Sequence, residues 1–199
     1  MRTKFSDSIR LISIIRKIRL IAALSILFTV STYSQINFKV SGSAVIPAGE
    51  FTKQVEAGYG FSVTGIYQLP VENFYVTLTG GYYFLGFNEK LKQYKMDYST
   101  IPLTAGLKAE FPIYDLIPYV EIGAGIYFSK YQVEVIDIFT GPFTVLTDER
   151  TAGFLLSGGL RFMVTPGLDL DFSINYNKLQ SKYPGRAFFN INTGFSFRF

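Results

Sequence analysis

The 199-residue sequence contains no cysteine, no histidine and no tryptophan. Without cysteine the chain has no disulfide bonds and no thiolate nucleophile. Without histidine it cannot build the common Ser-His-Asp and Cys-His nucleophilic sites, and zinc and copper sites lose their commonest ligands. The sequence therefore predicts no cofactor and no metal, and it disfavours an enzyme.

Long apolar runs are also missing from most of the chain. From Gln35 onward no run approaches the ~18 apolar residues that a membrane-spanning helix requires. Yet 48 % of the residues are hydrophobic and 17 % are aromatic, with 20 Phe and 14 Tyr. These residues are dispersed, so their spacing carries the structural information.

The first 34 residues differ in character from the rest. Six basic residues lie between Arg2 and Arg19, and an apolar run over 20–30 precedes the letters STYS. A secretory signal peptide has a basic stretch, a short apolar stretch and small residues before its cleavage site. We therefore predict a helical signal peptide over residues 1–34 and a mature domain over 35–199. An uncleaved membrane anchor is the alternative.

This division changes the meaning of the charge. The whole chain carries 19 basic and 15 acidic residues, for a net charge of +4. Six basic residues and one acidic residue fall within 1–34, so the remainder has 13 and 14, for a net charge of −1. The basic pI of the full chain is therefore no evidence for a nucleic-acid partner.

The remainder alternates between apolar and polar residues with a period of two, which is the signature of strands. No Lys, Arg, Asp or Glu falls on the apolar positions of any predicted strand. The opposite face is mostly Gly, Ser, Thr and Asn, whereas the outer face of a soluble sandwich is normally rich in Lys and Glu. Small neutral groups suit a narrow interior, and a broad aromatic face suits lipid. The predicted strands lie near 36–46, 59–69, 74–84, 101–111, 120–128, 154–164, 168–176 and 189–199.

The predicted connections between strands alternate between short and long. Short links lie at 70–73, 112–118 and 165–167, and long ones near 47–57, 86–98, 129–150 and 178–187. Short turns on one side and long loops on the other are typical of outer-membrane barrels, and lipid does not tolerate open sheet edges. We therefore predict an all-β fold: an eight-stranded antiparallel transmembrane up-and-down β-barrel. Its first and last strands pair, and both chain ends face the periplasm.

Several short segments support a family resemblance: IPAGEF, IPLTAGLKAEF, PYVEIGAGIYF, GGLRFMVTPGLDLDFSINY and the terminal FSFRF. Together they resemble the outer membrane protein beta-barrel domain families that are common in the Bacteroidetes, small barrels of the OmpA and OmpX class. The resemblance covers 35–199 and implies location in the Gram-negative outer membrane. It also implies that the barrel-assembly machinery reads a signal in the last strand, on Phe195, Phe197 and Phe199. It does not imply an activity.

The interior of eight strands is just wide enough for side chains or one small ligand. The inward-facing charges are predicted to fall in the periplasmic half, four of each sign, with an outer half of Ser, Thr, Asn and Gly. Because enclosed charges must be paired, we expect an ion-pair network that seals this end. The alternative places Arg198, Lys39 and Asp169 in water at the rim. The predicted network comprises Lys39, Lys108, Glu110, Glu121, Arg161, Asp169, Asp171 and Arg198.

Partners, if any, are expected at the long loops. Residues 130–150 contain strand-forming residue types and could rise as a hairpin whose edge adds a strand from an extracellular protein. Such a hairpin could equally well only cover the barrel mouth. The basic segments 88–97 and 178–186 could contact lipopolysaccharide phosphates, or they could simply be solvated.

The sequence thus favours a monomeric, non-enzymatic outer-membrane barrel with a structural or surface-interaction role. A narrow channel or carrier for a small solute is the second possibility. A secreted soluble β-protein of lipocalin type is the third, and it requires the apolar face to point inward. Asp169 and Asp171 share one strand face and could act as paired acids, but countercharge for nearby basic residues is the simpler role.

Overall fold

The computed structural model describes residues 36–87, 94–137, 141–180 and 185–198. The strands of these residues form a closed barrel in which each strand neighbours the next along the chain, and β1 closes the ring by pairing antiparallel with β8. The predicted eight-stranded up-and-down barrel is confirmed. The strands are β1 (Ile36–Ala48), β2 (Val55–Gln68), β3 (Phe74–Phe87), β4 (Tyr94–Glu110), β5 (Leu116–Asp137), β6 (Gly141–Thr165), β7 (Leu168–Leu179) and β8 (Ala187–Phe197).

The apolar positions of the strands face outward. Phe61, Leu156 and Phe197 are 58 %, 57 % and 41 % exposed. Their polar neighbours Ser62 and Ser157 are buried inside the ring. Because successive side chains of a strand point to opposite faces, this orientation extends along every strand. The soluble alternative, with the apolar face inside, is therefore wrong.

Two strands extend well beyond 120–128 and 154–164, as the hairpin considered for residues 130–150 required. β5 has 22 residues and β6 has 25, and they pair from Asp137 opposite Gly141 down to Leu116 opposite Phe162. Most of the segment predicted as a long link, 129–150, is therefore paired sheet. The cause is its content of β-branched and aromatic residue types, which favour extended backbone. β4 also starts earlier than predicted, at Tyr94 opposite Val135.

The two ends of the barrel differ in length and cover. We call the end where β1 begins and β8 ends the terminal end. Short turns connect the strands there. At the opposite end, here the hairpin end, β4, β5 and β6 extend beyond the other strands. There the short 3-10 helix η1 (Gly49–Lys53) links β1 to β2 and buries Phe51 completely. The described residues contain no helix long and apolar enough to cross a membrane.

Candidate functional site

Charged side chains fill the lumen at the terminal end. The eight predicted network residues all point inward, and seven of them are at most 8 % exposed; Arg198, at the rim, has a side chain that is 28 % exposed. We call this set the charged layer. Lys39 and Asp169, expected to reach water in the alternative prediction, are instead buried.

Arg161 lies between two carboxylates of the charged layer. Its guanidinium donates a hydrogen bond to Glu110, and its Nε lies 3.5 Å from Asp169 Oδ2. Glu110 is also 2.9 Å from Lys108 Nζ, and Asp169 accepts a 2.8 Å hydrogen bond from Arg198. Five buried or half-buried charges therefore form one chain in which the signs alternate.

A second group of the charged layer is centred on a residue that the sequence prediction missed. The Tyr119 hydroxyl donates a 2.9 Å hydrogen bond to Asp171, and Asp171 also pairs with Lys39 at 3.2 Å. Lys108 Nζ lies 3.9 Å from the centre of the Tyr119 ring, within the range of a cation–π contact. One sequence signal could have identified Tyr119: it lies two residues before Glu121 and therefore shares the inward face of β5. In the structure it is opposite Gly159 of β6, which leaves room for the ring.

The remaining predicted member, Glu121, forms no ion pair with the described residues. It accepts a 2.6 Å hydrogen bond from the Thr77 hydroxyl instead. The geometry therefore brings seven of the predicted residues into ion pairs and leaves Glu121 beside them with a neutral partner.

Neutral polar side chains occupy the middle of the lumen. Ser43 donates to Asn192 at 2.6 Å, Asn192 donates to Ser173 at 3.1 Å, and Ser157 donates to Asn175 at 2.6 Å. A small cavity of about 20 Å³ remains among them. That volume accommodates about one water molecule.

The lumen at the hairpin end combines a cluster of apolar side chains with buried Thr100, Ser129 and Asn177, so the expectation of Ser, Thr, Asn and Gly describes it only in part. Phe51 packs edge-on against Tyr98 with ring centres 5.1 Å apart, and Phe188 packs edge-on against Tyr83 and Tyr127 at 6.0 and 6.3 Å. The prediction missed the apolar cluster because it treated several of these inward positions as loop residues. We call the cluster the apolar layer; its members are Val45, Phe51, Val55, Tyr83, Leu85, Tyr98, Tyr127, Tyr131, Leu179 and Phe188.

A closed barrel with an apolar outer wall and a filled interior is the architecture of small outer-membrane proteins. The sequence profile of the outer membrane protein beta-barrel domain family matches residues 20–199. The chain belongs to this family. It is therefore an outer-membrane protein whose barrel spans the bilayer, as the sequence predicted. By the rule for such barrels, the terminal end faces the periplasm and the hairpin end faces outward.

Solved outer-membrane barrels share this fold at low sequence identity. Neisserial surface protein A superposes with a TM-score of 0.56 at 15 % identity, over 82 % of this chain and 97 % of its own. A major outer membrane protein from Thermus thermophilus gives 0.56 at 11 %, over 82 % and 99 %. Ail, the attachment invasion locus protein of Yersinia pestis, gives 0.51 at 21 %, over 83 % and 97 %. Among curated proteins, none matches the sequence.

An ion pair connects two segments at the extracellular mouth of this outer-membrane barrel. Arg186 bonds to Glu149 of β6, and its guanidinium carbon lies 4.3 Å from the centre of the Tyr131 ring. Burial lowers the pKa of Arg186 from the usual range of an arginine. Arg186 is therefore engaged within the protein, whereas Lys178, from the same predicted basic segment, faces outward and is exposed. Two parts of the basic segments lie outside the described residues: 181–184 of this segment and 88–93 of the other.

Above the mouth, three strands continue as a sheet. The pairing of β3 with β4 ends at Leu85 opposite Tyr98, and that of β6 with β7 ends at Gly153 opposite Leu179. Residues 94–97 of β4 and 141–151 of β6 thus pair only with β5 among the described residues. We call this extension the rising sheet; it has one edge on β4 and one on β6.

The other predicted sites remain predictions. Phe195 and Phe197 face outward near the end of β8, exposed by 51 % and 41 %. Phe199 and the predicted signal peptide, residues 1–34, lie outside the described residues, so the assembly-signal role and the cleavage stay untested. Within the part of the chain that the structure describes, no group of three or more carboxylates could hold a metal ion.

Proposed function

We propose that this protein is a non-enzymatic surface-interaction barrel that binds an extended segment of another protein along the β6 edge of the rising sheet. The observation that carries the proposal is this edge, which lacks a strand partner over 141–151 among the described residues. Exposed sheet edges present rows of backbone donors and acceptors that pair readily with an added strand.

The direction of the edge groups follows from one hydrogen bond. Gln180 of the segment after β7 donates to the carbonyl of Ala152 at 2.8 Å, so the backbone groups of Ala152 point toward the β7 side. In an antiparallel ladder, alternate residues direct both backbone groups to the same side. Arg150, Asp148 and Leu146 therefore direct theirs at the open edge, and the residues between them bond to β5.

The side chains beside these groups suit recognition. Leu146 is 72 % exposed, and Asp148 and Arg150 are exposed on the same face. An added strand would thus meet an apolar position followed by an acidic and a basic one. Complementary side chains would select the register, and the backbone would supply most of the affinity.

Proline distinguishes backbone recognition from side-chain recognition. Leu146→Pro with Asp148→Pro removes two edge N–H groups and leaves the bonds to β5 in place, because these residues point away from β5. Leu146→Ala with Asp148→Ala removes the same side chains and keeps both N–H groups. The probe is a display library of random peptides selected on the purified barrel in lipid nanodiscs.

We expect the peptides enriched on the wild-type barrel to lose at least tenfold in binding to the proline variant. The alanine variant should lose much less. Equal binding of the enriched peptides to all three proteins, or to a variant that lacks residues 133–147, contradicts strand addition at this edge.

The second candidate function, a narrow channel or carrier, has weaker support. The charged layer and the apolar layer both occupy the lumen among the described residues, and one small cavity of about 20 Å³ lies between them. Planar-bilayer recording decides this point: large, steady conductance from the wild-type protein would favour the channel over the surface role.

A further inference from the structure

Charges on the outer wall are distributed unevenly around the barrel. On β5, β6 and β7, the first outward-facing charge beyond the apolar membrane band is basic in each case: Lys130, Arg150 and Lys178. On β2 and β4 the corresponding first charges are acidic, Glu56 and Asp97. We call Lys130, Arg150 and Lys178 the basic sector. All three are exposed, and none forms an ion pair with the described residues.

The spacing within the basic sector follows from the strand pairing. Phe128 pairs with Arg150 and Lys130 pairs with Asp148, so Lys130 and Arg150 are diagonal neighbours about 7–8 Å apart. Arg150 also lies over the Phe128 ring at 5.3 Å, which directs its guanidinium along the wall. Lys178 is opposite Phe154, four residues along β6 from Arg150, or roughly 13 Å. The sector thus offers cations at two separate points.

An apolar groove of about 670 Å³ lies on the wall below and includes Lys178 in its lining. Its floor is low because Ala105 pairs with Ala124, between the larger pairs Leu103–Ile126 and Leu107–Ile122. Phe154, Leu156 and Tyr176 form its other walls. A groove on the hydrocarbon-facing surface with a cation at its outer end has the two features of a lipid site: a place for an acyl chain and a charge for a headgroup.

We propose that the basic sector and this groove bind one phosphorylated lipid of the outer leaflet, with an acyl chain in the groove and phosphates at both cationic points. Arg150 and Lys178 select the occupant, because phosphate is attracted by basic side chains near a membrane surface. Lys130 contributes less, since the outward-facing Asp148 lies opposite it and Asp97 lies on its diagonal. The two separated points favour a headgroup that carries two phosphates, as in the lipid A part of lipopolysaccharide. The site shares the Arg150 side chain with the β6 edge, but its groove and Lys178 lie apart from that edge, so it does not depend on the proposed strand addition.

The direct test is native mass spectrometry of the folded barrel released from nanodiscs, with lipid A in bisphosphorylated and phosphate-free forms as the probes. Wild-type protein should retain the bisphosphorylated lipid preferentially. Lys130→Gln with Arg150→Gln and Lys178→Gln should weaken retention about a hundredfold, since each basic residue near the surface contributes about a fivefold effect. The control Lys90→Gln with Lys92→Gln and Lys95→Gln removes the same charge from the other basic segment and should retain the lipid.

A second variant tests the groove. Ala105→Leu fills the floor of the groove from the outer side and changes no charge. It should reduce retention of both lipid forms. It should leave any displacement of the lipid by soluble phosphate unchanged. If the triple Gln variant does not fold, as judged by heat-dependent gel migration, Lys178→Gln alone should still cost about fivefold.

Several outcomes overturn the proposal. They are equal retention of the two lipid forms, full retention by the triple Gln variant, or loss in the Lys90, Lys92 and Lys95 control instead. Competition by millimolar inorganic pyrophosphate together with no retained lipid would assign the basic sector to a soluble anion and also overturn it.

Discussion

Tyr119 on β5 donates a 2.9 Å hydrogen bond across the lumen to Asp171 on β7. Asp171 in turn holds Lys39 of β1 at 3.2 Å. None of these strands neighbours another in the ring. One phenol therefore connects parts of the wall that the backbone ladder does not join, and it holds the cross-section of the barrel at this level.

Tyr119→Phe should destabilise the barrel by about 1–3 kcal/mol, because it removes a hydrogen bond to a charged group and leaves the ring in place. The free energy of unfolding in urea, followed by heat-dependent gel migration, measures the effect. Tyr114→Phe is the control: Tyr114 is 93 % exposed, and its loss should be close to neutral. Equal effects of the two changes would argue against the cross-lumen role.

Gly158 and Gly159 are adjacent and face opposite sides of β6. A methyl group on Gly159 would lie 2.4 Å from the Tyr119 ring and 2.7 Å from the Phe172 carbonyl oxygen, whereas one on Gly158 would meet nothing within 4 Å. Gly159→Ala should therefore cost about 1–3 kcal/mol of stability through overpacking. Gly158→Ala should change it by no more than about 0.5 kcal/mol. Urea unfolding of the two variants side by side gives the comparison, and a neutral Gly159→Ala would refute the packing seen around Tyr119.

Arg161→Met should be more damaging than Arg161→Met combined with Asp169→Asn. Removing Arg161 alone leaves excess negative charge in the lumen and should cost about 3–5 kcal/mol. Asp169 is the suitable partner because its other contact, Arg198, reaches water at the rim, while Glu110 keeps Lys108. Unfolding free energies of the two single variants and the double variant form a thermodynamic cycle. Additive losses would show that the pair is not coupled.

Conductance should remain absent when only one lumenal layer is weakened. Phe51→Ala with Phe188→Ala removes two large side chains from the apolar layer, but the charged layer still fills the terminal end. We expect neither the wild type nor this variant to give steady currents in planar bilayers. Steady current from the variant alone would mean that the apolar layer is the only barrier.

The fold could be predicted from the sequence because lipid imposes a strict rule. Each position on the outer wall must be apolar, so alternation identifies strands, and the absence of charge from one face distinguishes this barrel from a soluble one. Phe61, Leu156 and Phe197 follow the rule, and their outward orientation is confirmed. The inward charges, such as Arg161 and Asp171, could be located by the same alternation.

The interior composition was harder to predict because the lumen imposes no comparable rule. Tyr119 lies one residue before the predicted fifth strand, and its residue type alone did not assign it a role, since tyrosine suits both lipid interfaces and buried hydrogen bonds. Phe51 and Phe188 lie where the pattern ends, and only the three-dimensional closure brings them together. The pairing partners of Arg161 also depended on the barrel register, which the sequence does not specify.

The pairing of Phe38 with Phe197 joins segments from opposite ends of the described chain. An incomplete cylinder would leave Lys39 of β1 without Asp171 of β7, and it would expose unpaired strand edges to hydrocarbon. Truncated intermediates therefore have no stable place in the bilayer. Assembly of this protein should be all-or-none, with a single transition from unassembled polypeptide to the finished ring.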